Sequence, residues 1–242
     1  MNLIVDVGNT YVKLAVFLRD KLIFKKAVEL EKLTYTINEL RKEYPNLKRA
    51  IVSSVGKLEK GAIKYLEKRF DLLELTHKTK VPYKNNYGTP KTLGIDRIAL
   101  VSASAYHYPE NNVLIIDAGT CITYDFITNE NEYLGGAISP GIRMRYKSLN
   151  NLTANLPLLD TDKPKDVIGT TTESSIHSGV VNGVVNEIDG FIKAYLEEYS
   201  DLTVILTGGD TNFLSEQLKS SIFANSNFLL EGLNYILEFN SN

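Results

Sequence analysis

The sequence predicts an α/β protein built from two similar domains, each a mixed sheet flanked by helices. Two observations carry this: a strand, a tight polar turn and a second strand recur about halfway along the chain, and β-rich runs alternate with amphipathic helical segments elsewhere. In the first copy Leu3-Ile4-Val5 leads into Asp6-Val7-Gly8-Asn9-Thr10 and then the alternating run Tyr11 to Phe17. In the second, Val113 to Ile116 leads into Asp117-Ala118-Gly119-Thr120 and the alternating run Ile122 to Ile127. Each copy returns through a further strand, Lys21 to Phe24 and Glu132 to Gly136. A repeat near half of the 242 residues puts the domains at 1–110 and 111–242.

The β-branched residues supply the strands, while Gly8 and Asn9 permit the positive φ that a sharp reversal needs. Such a turn can hold phosphate. Gly8 lets backbone N–H groups approach an anion, Asn9 and Thr10 add donors, Lys13 adds a positive charge, and Asp6 at the strand end can face a hydrated magnesium ion. An ordinary polar hairpin explains one copy equally well, and only the recurrence favours a ligand site.

Composition narrows the class. A net charge of -2, with 43% hydrophobic and 23% charged residues, describes a globular chain without the basic surplus of a nucleic-acid binder. The apolar runs are too short to cross a bilayer and no signal peptide precedes the first strand, so no membrane partner is expected. Cys121, the one cysteine, excludes an intramolecular disulfide and points to the cytoplasm. His77, His107 and His177 are scattered, form no zinc pattern and are expected to be structural.

Along the chain, Lys32 to Tyr44 is an amphipathic helix stopped by Pro45. Arg49 to Val55 reads as a buried strand, Leu58 to Phe70 as a helix and Leu72 to Leu75 as a strand. Residues 76–93 form a polar loop long enough to suggest function. Its Gly88-Thr89-Pro90-Lys91-Thr92 only imitates a P-loop, because no glycine directly precedes Lys91. The following helix puts Asp96 and Arg97 near its N-terminus, where a ligand meets backbone donors, although capping and surface pairing would explain both residues alone.

Gly135 to Gly141 reads as a glycine-rich bend opening a helix from Ile142 to Leu149, and Asn150 to Lys165 as a polar connection. Ser174 to Tyr195 is a long helix whose Ser178, Gly179, Gly183 and Gly190 suit close packing, within the chain or against a second subunit. Leu202 to Leu206 is a strand ending in a third glycine turn, Thr207-Gly208-Gly209-Asp210, which opens a helix from Thr211 to Leu218. Gly232 to Leu237 closes the chain as a packing helix.

Five motifs together resemble the type III pantothenate kinases, members of the acetate and sugar kinase, heat-shock chaperone and actin superfamily. They are Asp6-x-Gly8-Asn9-Thr10-x-x-Lys13, Tyr87-x-x-Pro90-x-x-Leu93-Gly94-x-Asp96-Arg97, Asp117-x-Gly119-Thr120-x-x-Thr123-x-Asp125, Gly135-Gly136-x-Ile138-x-Pro140-Gly141 and Thr207-Gly208-Gly209. They occur in the family's order and span residues 6–209.

The resemblance implies two actin-like (ribonuclease H-like) domains with an ATP cleft between them, and phosphorylation of pantothenate by ATP to 4'-phosphopantothenate, the first step towards coenzyme A. It implies that Asp6, Val7, Gly8, Asn9, Thr10, Tyr11, Val12 and Lys13 hold the ATP phosphates with Mg2+, and that Thr120 contacts ATP. Asp117 looks like the ligand of a monovalent cation, K+ or NH4+. Asp96 would be the general base, while Tyr87, Gly94, Ile95, Asp96, Arg97 and Thr172 would bind pantothenate in a site completed across a homodimer interface. A helix N-terminus and Arg97 both favour the Asp96 carboxylate, so Asp96 is expected to position the hydroxyl and accept its proton late.

One departure is that Thr171 stands where the family has Asn before the long helix. Two other readings stay open: a non-catalytic relative acting on transcription, and a kinase of the same superfamily for a sugar or another small alcohol.

Overall fold

The computed structural model describes residues 1–8, 11–54, 58 and 60–241. Asn9 and Thr10 of the first turn, and Val55 of the expected strand, lie outside the described residues. The chain divides into two compact units, Met1–Pro109 with Asn131–Tyr133 and Asn227–Asn242, and Glu110–Glu130 with Leu134–Ser226.

The first unit contains β1 (Asn2–Val7), β2 (Val12–Leu18), β3 (Lys21–Val28), α1 (Leu33–Glu43), β4 (Arg49–Ser54), α2 (Lys60–Glu67), β5 (Asp71–Glu74), β6 (Lys84–Asn85) and α3 (Ile95–His107). Its sheet has the order β3-β2-β1-β4-β5. β1 runs antiparallel to β2, opposing Asp6 to Lys13, and parallel to β4, opposing Asp6 to Ser53. Side chains alternate across a strand, so Leu3, Val5 and Val7 meet Ile37 and Leu40 of α1 and Leu66 of α2 on one face. Asn2 and Asp6 share the opposite face.

The second unit holds β7 (Val113–Ala118), β8 (Cys121–Ile127), most of β9 (Glu132–Pro140), α4 (Ile142–Asn151), α5 (Thr172–His177), α6 (Gly183–Glu198), β10 (Thr203–Thr207), α7 (Thr211–Ser215) and β11 (Phe223–Ala224). Its strands follow the order β11-β10-β7-β8-β9. β7 is antiparallel to β8 and parallel to β10, as β1 is to β2 and β4. The duplication expected from the two hairpins is therefore a duplication of sheet topology.

Three local expectations change. Gly135 to Pro140 is strand rather than bend, and the chain turns at Gly141, the N-cap of α4. A Cβ on Gly136 would lie 1.6 Å from the Tyr124 carbonyl oxygen, so that glycine serves close strand approach. The long helix carries a π-helical turn, Ser178–Asn182, between α5 and α6. Val180, Val181, Val184 and Val185 can all be buried across it, a pattern that a 3.6-residue period does not resolve.

The third change is the closing helix α8 (Phe228–Phe239), which lies in the first unit although the expected boundary put it with residues 111–242. It packs along α3, where a Cβ on Gly232 would come within 2.0 Å of the Ala99 carbonyl oxygen. Tyr106 and Tyr235 have ring centroids 4.2 Å apart, and His107 Nε2 lies 3.2 Å from Glu231. Asn2 Nδ2 donates to Asn234 Oδ1 at 2.8 Å and to Glu238 at 2.6 Å, tying β1 to the same helix. Gly232→Val is expected to force α8 off α3 at a cost of about 2–3 kcal/mol, read as a lower urea midpoint at unchanged slope.

Candidate active site

In the first unit β1 delivers Asp6 to the edge of its turn. The carboxylate is only 4% exposed, and burial pushes its pKa from 3.8 up to about 6. Lys13 Nζ, at 4.0 Å, draws it back down, and the nearby Asp96 carboxylate pushes it up again. Asp6 and Asp96 thus lie close enough to feel one another. Ser53, the register partner of Asp6 on β4, is fully buried beside it; the signal for it was a pair of serines ending an apolar strand.

Gly94 is the N-cap of α3, followed by Ile95, Asp96 and Arg97 in its first turn. Asp96 Oδ1 accepts from the Arg97 N–H at 2.9 Å, and a Cβ on Gly94 would sit 2.4 Å from that oxygen. The glycine leaves room for the carboxylate. Arg97 is buried, with its guanidinium 5.5 Å from the Tyr87 ring centroid, a cation–π contact. His77 Nε2 holds the Leu93 carbonyl at 2.8 Å just ahead of this turn, a structural role as expected.

Asp6, Lys13, Tyr87, Gly94, Ile95, Asp96 and Arg97 therefore all belong to the first unit. Val7 and Val12 have buried side chains in the hydrophobic core, so only their main chain is left for a ligand, whereas Tyr11 is 53% exposed.

In the second unit two further turns meet the second hairpin, which is closed by its own bond at Gly119. Gly119 N donates to Cys121 O at 2.9 Å, Gly141 N to Thr120 O at 3.1 Å, and Asp210 N to Ala118 O at 3.0 Å. Gly208 has φ +100°, and a Cβ there would lie 2.4 Å from Asp117 Oδ1, so the backbone conformation and the space both exclude a side chain. Asp117 is half-buried against that turn and Thr120 is exposed. The register partner of Asp117 is Thr123, whose Oγ1 is buried without a hydrogen-bond partner among the described residues. Among the described residues no group of three or more His, Cys, Asp or Glu side chains could hold a metal ion.

Thr171 caps α5 with a capping box to Ser174. Thr172 is exposed on a groove of about 940 Å³ floored by Leu149, Leu156, Ile176 and Val180, with Arg145 on its wall. Glu187 fixes Arg145 by an ion pair and accepts from the Tyr124 hydroxyl at 3.0 Å; burial pushes that hydroxyl's pKa well up.

Two sheets of one topology, each opening on an Asp-x-Gly hairpin, define the fold of the sugar kinases. A glucokinase from an Antarctic psychrotroph, 12% identical, superposes with a TM-score of 0.55 over 98% of both chains. A Campylobacter jejuni protein described as a Baf family transcriptional activator, 23% identical, gives 0.65 over 98% of both. The family model for type III pantothenate kinase matches residues 2–194. Relatives of that name from Christiangramia forsetii and Flavobacterium johnsoniae are 52% and 49% identical, each over 99% of this chain and 99% and 98% of their own. The chain belongs to the type III pantothenate kinase family.

The raised pKa of Asp6 has a measurable sign. A carboxyl whose folded value exceeds its unfolded value binds its proton more tightly when folded, so stability falls as pH rises from 3.8 to about 6 and stays reduced above. In ligand-free protein, Asp6→Asn is expected to raise stability by about 1–3 kcal/mol at pH 8 and by little at pH 4, in thermal melts at both pH values.

Proposed function

We infer that this chain transfers the γ-phosphoryl group of ATP to the primary hydroxyl of pantothenate, giving 4'-phosphopantothenate, the first step of coenzyme A biosynthesis. Family membership supports the reaction. The observation that carries the site is that buried Asp6, with Lys13 Nζ 4.0 Å away, feels the charge of Asp96 in the first turn of α3.

Asp6, Val7, Gly8, Asn9, Thr10, Tyr11, Val12 and Lys13 hold the ATP phosphates, and Thr120 contacts ATP as well. A buried carboxylate with one lysine 4.0 Å away fits a hydrated Mg2+ brought with the nucleotide, which would neutralise charge on the phosphates. Arg97 offers a planar fork for the pantothenate carboxylate, with Tyr87 against its face and Gly94, Ile95 and Thr172 completing the acceptor site. Asp96 is the general base: it orients the hydroxyl and takes its proton as the bond to phosphorus forms. Most of the acceleration comes from alignment and from charge already in place.

The two hairpins suggest different cation needs. Asp6 faces Lys13 in register, whereas Asp117 faces Thr123, a neutral hydroxyl with an unpartnered buried oxygen. K+ or NH4+ is the monovalent cation proposed for Asp117, with the buried Thr123 hydroxyl as its register neighbour.

The enzyme is a homodimer acting in the cytoplasm. Gly179 and Gly190 support the dimer, because a Cβ on either would meet nothing within 4 Å among the described residues, leaving that face of the long helix open. Among the described residues no helix is long and apolar enough to cross a membrane.

ADP release with magnesium-ATP and pantothenate, in potassium or in sodium salt, tests the assignment, with mass detection of phosphopantothenate. Product is expected in potassium, little in sodium, and none from Asp96→Asn despite normal pantothenate binding. A folded protein that binds ATP but turns over in neither salt would overturn the acceptor assignment.

A further inference from the structure

Residues Asn131–Tyr133 belong to the first unit, although the chain on both sides of them belongs to the second. They pair in parallel with β6, Lys84 opposite Glu132 and Asn85 opposite Tyr133, through Lys84 N to Asn131 O at 2.9 Å and Asn86 N to Tyr133 O at 3.0 Å. Glu132 adds a clamp, taking Lys84 Nζ at 2.6 Å on one oxygen and Asn86 Nδ2 at 3.1 Å on the other. Three residues from a distant part of the chain thus hold the segment that leads into Tyr87.

Tyr133 is the centre of that hold. Its side chain is fully buried, with Tyr83 edge-on at 6.0 Å and 74° and Tyr87 stacked at 6.0 Å and 20°. Tyr87 in turn has the Arg97 guanidinium against it, and its N–H donates to Asn85 Oδ1 at 3.0 Å. Rings and guanidinium form one series, Tyr83, Tyr133, Tyr87, Arg97, buried at one end and reaching the first turn of α3 at the other.

We propose that Tyr133 is a positioning residue of the acceptor site: its ring is the surface on which Tyr87 stacks, and it thereby fixes the Tyr87–Arg97 pair that receives pantothenate. The inference rests on the assignment of Tyr87 and Arg97 to that site. Without the Tyr133 ring, Tyr87 divides its time among rotamers, only some of which bind, and apparent affinity falls by the competent fraction. Asp6 and Lys13 lie outside the series, so nucleotide binding is untouched.

Steady-state kinetics with each substrate varied, alongside a thermal melt, tests this. Tyr133→Leu is expected to raise the pantothenate KM about three- to tenfold, the scale of a lost aromatic stack and a freed rotamer, with the ATP KM and kcat nearly unchanged. Tyr133→Phe, which keeps the ring, is expected to behave as wild type. A Tyr87→Ala/Tyr133→Leu double variant is expected to be no worse than Tyr87→Ala, because Tyr133 acts through Tyr87. Should Tyr133→Leu fail to fold, Glu132→Ala removes the side-chain clamp at a partly exposed position and is expected to raise the pantothenate KM about two- to threefold, the effect of losing a charge-assisted bond near the surface.

An unchanged pantothenate KM in Tyr133→Leu, or in Glu132→Ala where that variant stands in, overturns the proposal if Tyr87→Ala raises it, and leaves the acceptor-site reading intact. A loss spread over kcat and both KM values, or a full multiplicative loss in the double variant, overturns it too. No effect of Tyr87→Ala on the pantothenate KM overturns the reading beneath it and the proposal together.

Discussion

A carboxylate buried at the end of a central strand is the constraint around which the first unit is arranged. Burial pushes the Asp6 pKa up to about 6, although Lys13, its register partner across the hairpin, draws it down. The sheet that carries Asp6 is held on one face by α1 and α2 and on the other by α8, whose contact with β1 runs through Asn2, Asn234 and Glu238. That packing keeps an uncomfortable charge in place. A carboxylate whose burial costs stability in the ligand-free protein is typical of a site that exchanges stability for function.

The second unit repeats the sheet topology of the first, with a different residue facing its aspartate. Both sheets run hairpin, then parallel strands, in the same order. The aspartate faces lysine in one copy and threonine in the other. Gly208, at φ +100°, is fitted against the Asp117 carboxylate.

The hairpins were legible because strand alternation and glycine turns are local signals, and the recurrence of Asp-x-Gly made them specific. Asp96 and Arg97 were legible for the same reason, sitting in a first helical turn after a glycine. What escaped was long-range. Nothing near Gly232 announces that its helix returns to pack on Ala99, and Gly135 and Gly136 looked like turn residues although they allow close strand approach. Ser53 became significant only once β4 was aligned beside β1. The two-residue pairing of β6 with Glu132 and Tyr133 joins segments 48 positions apart, with no periodicity to betray it.

A division of labour between two neighbouring carboxylates is proposed, Asp6 serving the nucleotide and Asp96 the proton. Calorimetric titration of magnesium-ATP into wild-type, Asp6→Asn and Asp96→Asn proteins separates them most directly. Asp96→Asn should bind as wild type, while Asp6→Asn should bind at least about tenfold more weakly, a difference of about 1.4 kcal/mol. Equal affinity in all three proteins, or a loss confined to Asp96→Asn, would contradict it.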